Sequence, residues 1–209
     1  MILTLFSNPF LFFLSAFALI IAITVHEFAH AKTADYLGDP TPQLQGRVTL
    51  NPLAHLDLYG TLFLLLAGFG WGKPVQFDPF NLEHEKRDTT LISIAGPISN
   101  FVVALLCSVV LYLYTLFGTQ IPFVIGSILV VMIQMNLLLA VFNLIPVHPL
   151  DGFKIVGGLL NEKQSKEWYS LQRFGFIFLI MLILPFNGTP LLHTVMDPIL
   201  SFLNGVFIP

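Results

Sequence analysis

His26-Glu27-Phe28-Ala29-His30 closes the run Met1 to Val25, in which no side chain is charged. HExxH on a helix puts two imidazoles one turn apart on one face, where they can share a zinc ion. The Glu between them then stands to take a proton from the water that the ion polarises. A charged residue at the bilayer centre costs about 3 kcal/mol on insertion scales, so Glu27 near a span end needs a reason. The motif and its apolar setting together predict peptide hydrolysis at the end of a membrane span.

The composition agrees. Of 209 residues, 56% are hydrophobic and 10% are charged, and the mean hydropathy is +0.83. Soluble domains carry about 25% charged residues, so most of this surface must face lipid. The length accommodates a single integral-membrane domain, 1–209. A net charge of -3 with no basic block excludes a nucleic-acid partner. Cys107 is the lone cysteine, which rules out an internal disulfide. The N-terminus has neither the basic n-region nor the small-residue site of a signal peptide.

Charge patterning orients the chain. Every Lys and Arg lies in Lys32 to Arg87 or Lys154 to Arg173, and Thr89 to Leu150 has no Asp, Glu, Lys or Arg. A membrane helix needs about 20 apolar residues, so the uncharged stretch holds two spans, 90–117 and 121–146. Two spans return the chain to one side, and the positive-inside rule makes that side cytoplasmic. Residues 8–31 form an earlier span and 174–190 a last one, kinked by Pro185. The tail 191–209 is then outside or in the interface. Thr61 to Phe69 is too short to cross and precedes Gly70 and Gly72, which predicts a re-entrant loop or short β element. Val48-Thr49-Leu50 is a second extended candidate. The fold class is therefore an all-α polytopic membrane protein of about four transmembrane helices plus that re-entrant element.

Catalytic zinc usually has three protein ligands and a water. By depth, the third is expected at Asp151, which follows an uncharged span ending on the side where His30 lies. Pro146 and Pro149 break the helix before it, and Gly152 permits a close backbone approach. His148 is a rival, as is Glu83-His84-Glu85 in a polar run. His55 and His193 lack metal-like spacing and read as structural.

Three separated blocks now resemble the site-2 protease family of intramembrane zinc metalloproteases. They are His26-Glu27-Phe28-Ala29-His30, then Ala95-Gly96-Pro97-Ile98-Ser99-Asn100, then Asn143-Leu144-Ile145-Pro146 followed by Asp151-Gly152. The resemblance implies a three-helix catalytic core over about 8–160, with an accessory span and tail over about 170–209. It implies one zinc on His26, His30 and Asp151, with Glu27 as general base and acid. It implies that Asn143 contacts the substrate or the developing oxyanion. Close packing is implied at Gly96-Pro97, and Asn100 reads as a helix–helix hydrogen-bonding residue. His148, and Phe153-Lys154 after Asp-Gly, depart from the usual pattern without touching the ligands; at His148, packing is preferred to a proton shuttle. The chain resembles a minimal member without PDZ or CBS modules.

The expected activity is an intramembrane zinc endopeptidase in a bacterial or archaeal cytoplasmic membrane, its active site towards the cytoplasm. Its expected partners are the lipid bilayer and a transmembrane protein substrate, paired by strand addition along 66–77 or near Val48. The oligomeric state is open. The alternative is a catalytically idle scaffold of the same fold that binds partner helices. A transporter with a structural metal is disfavoured, since the spans lack ionisable groups away from the motif ends.

Overall fold

The computed structural model describes residues 2–67, 70–186 and 188–209. A short helix, α1 (Ile2–Ser7), leads into α2 (Pro9–Tyr36). Asn8 caps α2 by accepting the Leu11 amide at 3.1 Å, and Pro9 occupies the first turn, where no backbone donor is needed. Gly38, at φ 104°, takes the chain out of the helix in a left-handed conformation. Ala18, Ala22, His26, His30 and Ala34 recur at every fourth position of α2, and all are buried. Apolar helices gain little by leaving lipid for one another, so small residues that allow close backbone contact decide where they pack. Phe10, Phe13 and Phe17 are exposed on the same helix.

The chain then passes through α3 (Thr41–Leu44) and α4 (Leu58–Ala67) to α5 (Glu85–Leu116), turns at Gly118 and returns in α6 (Phe123–Asn143). Among the described residues, α2, α5 and α6 are the helices long and apolar enough to cross a membrane. Contacts from His26 to Asn100 and from His30 to Ile92 run in opposite chain directions, so α5 is antiparallel to α2. α6 therefore ends on the same side as α2, and α7 (Asp151–Leu159) and α8 (Glu162–Ser170) fold beneath that end. Phe153 stacks on Trp168 with centroids 5.1 Å apart, and the indole N–H donates to the Phe153 carbonyl at 2.8 Å. This is an integral membrane protein of the expected all-α polytopic class.

Two details differ from expectation. The stretch 174–190 does not form one continuous span. It is divided between α9 (Gly175–Ile183) and a two-residue hairpin, β1 (Pro185–Phe186) with β2 (Thr189–Pro190), while Asn187 lies outside the described residues. Pro185 therefore ends the helix instead of kinking it, because it supplies no amide for the next turn. α10 (Leu191–Phe207) follows, and its Leu200, Leu203 and Phe207 pack against the α5–α6 cluster of Ala104, Leu111, Ile133 and Leu137. The tail is thus seated on the helical core.

The second difference is at Thr61–Ala67, which is helical. Asp57 starts that helix by accepting the Gly60 amide at 2.8 Å. Gly68 and Phe69 lie outside the described residues. Val48-Thr49-Leu50 forms no strand, and the β pairing near it is one isolated bridge between Leu56 and Gly72.

Candidate metal centre

His26 and His30 lie on the α5-facing side of α2, and Asp151 begins α7. Their ligand-type atoms converge. His26 Nε2 is 3.0 Å from His30 Nε2, and Asp151 Oδ2 is 3.1 Å from the first and 3.2 Å from the second. Ligands of a tetrahedral zinc lie about 3.4 Å from one another, so the cluster is close to the size that a zinc ion requires.

Hydrogen bonding at the far side of each ring explains the need for a cation. His30 Nδ1 is 2.7 Å from the Ile92 carbonyl, which can only accept, so this nitrogen carries the hydrogen. His26 Nδ1 donates to Asn100 Oδ1 at 2.7 Å. In the neutral rings both Nε2 atoms then present lone pairs. They face Asp151 Oδ2, a buried oxygen with no hydrogen-bond partner. Three lone pairs converging in a buried site repel one another, and a metal ion is the cation that all three can share.

Two glycines make the convergence possible. A Cβ on Gly96 would lie 2.5 Å from His30 Nε2 and 2.7 Å from His26 Cε1, so α5 can approach both rings only without a side chain there. A Cβ on Gly152 would lie 2.3 Å from the Leu144 carbonyl oxygen, so the first turn of α7 seats on the end of α6 only with glycine beside Asp151. The expected close backbone approach at Gly152 is present.

Glu27 is half-buried and accepts the Val75 amide on Oε2 at 2.9 Å. Val75 belongs to an extended strap, 72–77. Gly72 lies against Ile23, Val75 meets Glu27 one turn on, and Phe77 packs beside Ala34, so the strap runs alongside α2. Its Lys73 amide donates to the His55 carbonyl at 2.8 Å. Buried Arg47 donates to the carbonyls of Ala54 and Lys73. At the other end, Asp39 accepts the Asp78 amide at 2.7 Å, and Lys154 lies 4.9 Å from the centre of the Phe77 ring. The sequence reading did not foresee Arg47; a single Arg in a polar loop carries no signal of what it grips.

The remaining candidates separate cleanly. Asn143 is half-buried and donates to the Leu139 carbonyl one turn back at 3.0 Å, outside the metal cluster. Glu83, His84 and Glu85 are exposed. His148 sets its ring edge-on to Phe153 at 5.7 Å, the packing role preferred for it. His55 is fully buried with Nε2 on the Thr49 carbonyl at 2.8 Å, and His193 is an exposed neighbour of Asp197. Asn100 does join helices, through the Ala22 carbonyl and Asn136, but it also holds a ligand ring.

A family model described as Peptidase family M50 matches residues 116–183, the stretch that holds Asn143 and Asp151. The chain is 37% identical over 199 residues to YwhC of Bacillus subtilis, named as a candidate zinc metalloprotease, covering 91% of each chain. It is 29% identical over 183 residues to Rip2 of Mycolicibacterium smegmatis, similarly named, covering 82% of this chain and 69% of the relative. Against Rip2 of Mycobacterium tuberculosis it is 29% identical over 171 residues, 79% of this chain and 64% of the relative. No solved structure matches. With a relative this similar along nearly its whole length and a metal cluster assembled around HExxH, the chain belongs to peptidase family M50.

Proposed function

We propose that this peptidase is a site-2-type zinc protease that hydrolyses peptide bonds within or beside transmembrane segments of membrane-protein substrates. Its setting would be a bacterial or archaeal cytoplasmic membrane, with the active site towards the cytoplasm. The observation that carries the reading is the convergence of His26, His30 and Asp151 at the ends of membrane helices, with Glu27 in the turn between the imidazoles. His26, His30 and Asp151 would hold the zinc. When bound, zinc supplies Lewis acidity, polarising a carbonyl and making water acidic enough to attack near neutral pH.

The chain's own groups do the rest. Val75 holds Oε2 of Glu27, which leaves Oε1 to accept the proton of the attacking water and return it to the leaving amine. Asn143 has one amide hydrogen on Leu139, and its second is the donor for the substrate carbonyl. The substrate must lie extended, because a helix keeps its carbonyls in hydrogen bonds. The strap offers it an edge: among the described residues, the Gln76 amide and carbonyl, which leave an extended chain on one side, have no hydrogen-bond partner. Strand addition there would hold the substrate extended beside the strap.

The test is cleavage of single-span peptides in liposomes by wild type and Glu27→Gln at equal bound zinc. Cutting by the wild type alone is expected. Equal cutting by both would remove Glu27 from the mechanism, and cutting by neither across a broad panel would favour the idle scaffold. Val75→Pro, which deletes the amide on Glu27 and distorts the edge, should stop cleavage in a folded protein; undiminished cleavage would end the strand-addition reading.

A further inference from the structure

Asn136 sits in the middle of α6, is fully buried, and makes no hydrogen bond to a metal ligand or to Glu27. It is nonetheless joined to the metal centre by a series of hydrogen bonds whose direction is forced. The Met132 carbonyl can only accept, so the Asn136 amide atom 2.8 Å from it is Nδ2, and Oδ1 points the other way. That oxygen lies 2.9 Å from an Asn100 atom that is also 3.0 Å from the Ala22 carbonyl. Facing two acceptors, this atom must be Asn100 Nδ2, with both hydrogens used. Asn100 Oδ1 is thereby turned to His26 Nδ1, at 2.7 Å. The imidazole must donate from Nδ1 and keep the Nε2 lone pair for the metal cluster.

We infer that Asn136 is a positioning residue for the ligand His26, acting through Asn100 to set the tautomer and plane of the ring. This rests on the reading of His26 as a metal ligand. The two ligand histidines are held in different ways. His30 leans on a backbone carbonyl, which no substitution at Ile92 would remove. His26 leans on one side chain, Asn100 of α5, which Asn136 of α6 holds in turn, so its ligand quality can be altered from α6, away from the metal. Every member of the series is buried and satisfied, and such networks hold one geometry because each alternative strands a polar group.

The experiment uses full-length protein in detergent. Zinc affinity is measured by chelator competition, and the visible spectrum is recorded with cobalt(II) in place of zinc. Asn136→Leu keeps the volume but cannot accept from Asn100. It should weaken zinc roughly tenfold, the lower end of what loss of a ligand's hydrogen-bond partner costs, and shift the cobalt bands. Asn136→Asp should restore both readouts. A carboxylic acid there offers a carbonyl and a hydroxyl that reproduce both of the native bonds. Asn100→Leu should weaken zinc further, and adding Asn136→Leu to it should change nothing more, since the signal passes through Asn100.

Wild-type zinc affinity in a folded Asn136→Leu protein would overturn the inference. So would equal losses in the Leu and Asp variants, or independent losses in the double variant. Zinc binding that survives His26→Ala would instead overturn the metal assignment itself, a separate failure that the same titration detects.

Discussion

The stretches of α2, α5 and α6 around the metal cluster and the C-terminal pair α9 and α10 are both apolar, yet they are held in place differently. Around the metal cluster, Thr24, His26, His30, Asn100 and Asn136 are buried and hydrogen-bonded. Among the described residues, α10 meets α5 and α6 through apolar side chains and one hydrogen bond, in which the Tyr112 hydroxyl donates to the Val206 carbonyl at 3.1 Å. Apolar packing fixes which surfaces touch but tolerates small sliding. Buried hydrogen bonds fix distance and direction, because a missed partner costs about 1–3 kcal/mol. The metal centre stands where the second kind of restraint is concentrated.

That contrast orders the expected effects of substitution. Asp151→Ala removes the one carboxylate of the cluster and should abolish cleavage and lower zinc affinity more than about 100-fold, beyond the loss from any supporting residue. Zinc content after dialysis checks it, and a stoichiometric ion in the variant would break the assignment. Gly96→Ala drives a methyl into both imidazoles, given the 2.5 Å separation from His30 Nε2. Zinc affinity should drop at least tenfold while helix content is kept, because the damage falls on ring positions.

Arg47→Met acts on the strap. It leaves the Ala54 and Lys73 carbonyls without their buried donor. Cleavage should slow by about tenfold, through loss of the positioning that Val75 gives Glu27, with zinc binding unchanged. Faster amide exchange at Val75 would accompany it; a matching loss of zinc would show that strap and metal centre are one unit.

Asp39 provides a pH test of the same strap. Burial pushes its carboxyl up, but the Thr41 hydroxyl, the Asn81 amide and the backbone amides of Asp78 and Thr41 outweigh this and hold it below its ordinary 3.8. The folded value lies below the unfolded one, so the stabilisation is complete above 3.8 and is lost as pH falls through the lower folded value. Exchange protection at the Asp78 amide should follow that course, and Asp39→Asn should flatten it. The smallest effect belongs to the C-terminal pair: Tyr112→Phe should cost about 1 kcal/mol or less and leave cleavage unchanged. A catalytic defect there would mean that α10 reaches the site.

The sequence made the chemistry more legible than the scaffold around it. HExxH announces its own geometry, and the uncharged run from Thr89 to Leu150 sets the parity that brings Asp151 to the depth of His30. Gly152 was legible for the same reason, because a glycine beside a ligand marks a close approach. Asn136 was not, since one Asn within an apolar helix is equally compatible with a packing bond and with a line to the metal. The strap was half legible. Gly70 and Gly72 foretold a re-entrant loop or short β element, but the partner on α2 depends on tertiary contacts that local sequence does not encode. The last span failed as a continuous helix because hydropathy averages across Pro185, whereas the backbone cannot.

The ligands at the start of α7 and the end of α2 are separated in the chain by two complete membrane crossings. A nascent chain that has inserted only α2 carries two imidazoles and a base but no third ligand. Even with α5 in place, the carboxylate is still to be synthesised. The centre can close only when α6 has returned and α7 has folded back beneath it. The order of translation therefore leaves the cluster of His26, His30 and Asp151 incomplete until α7 has been made.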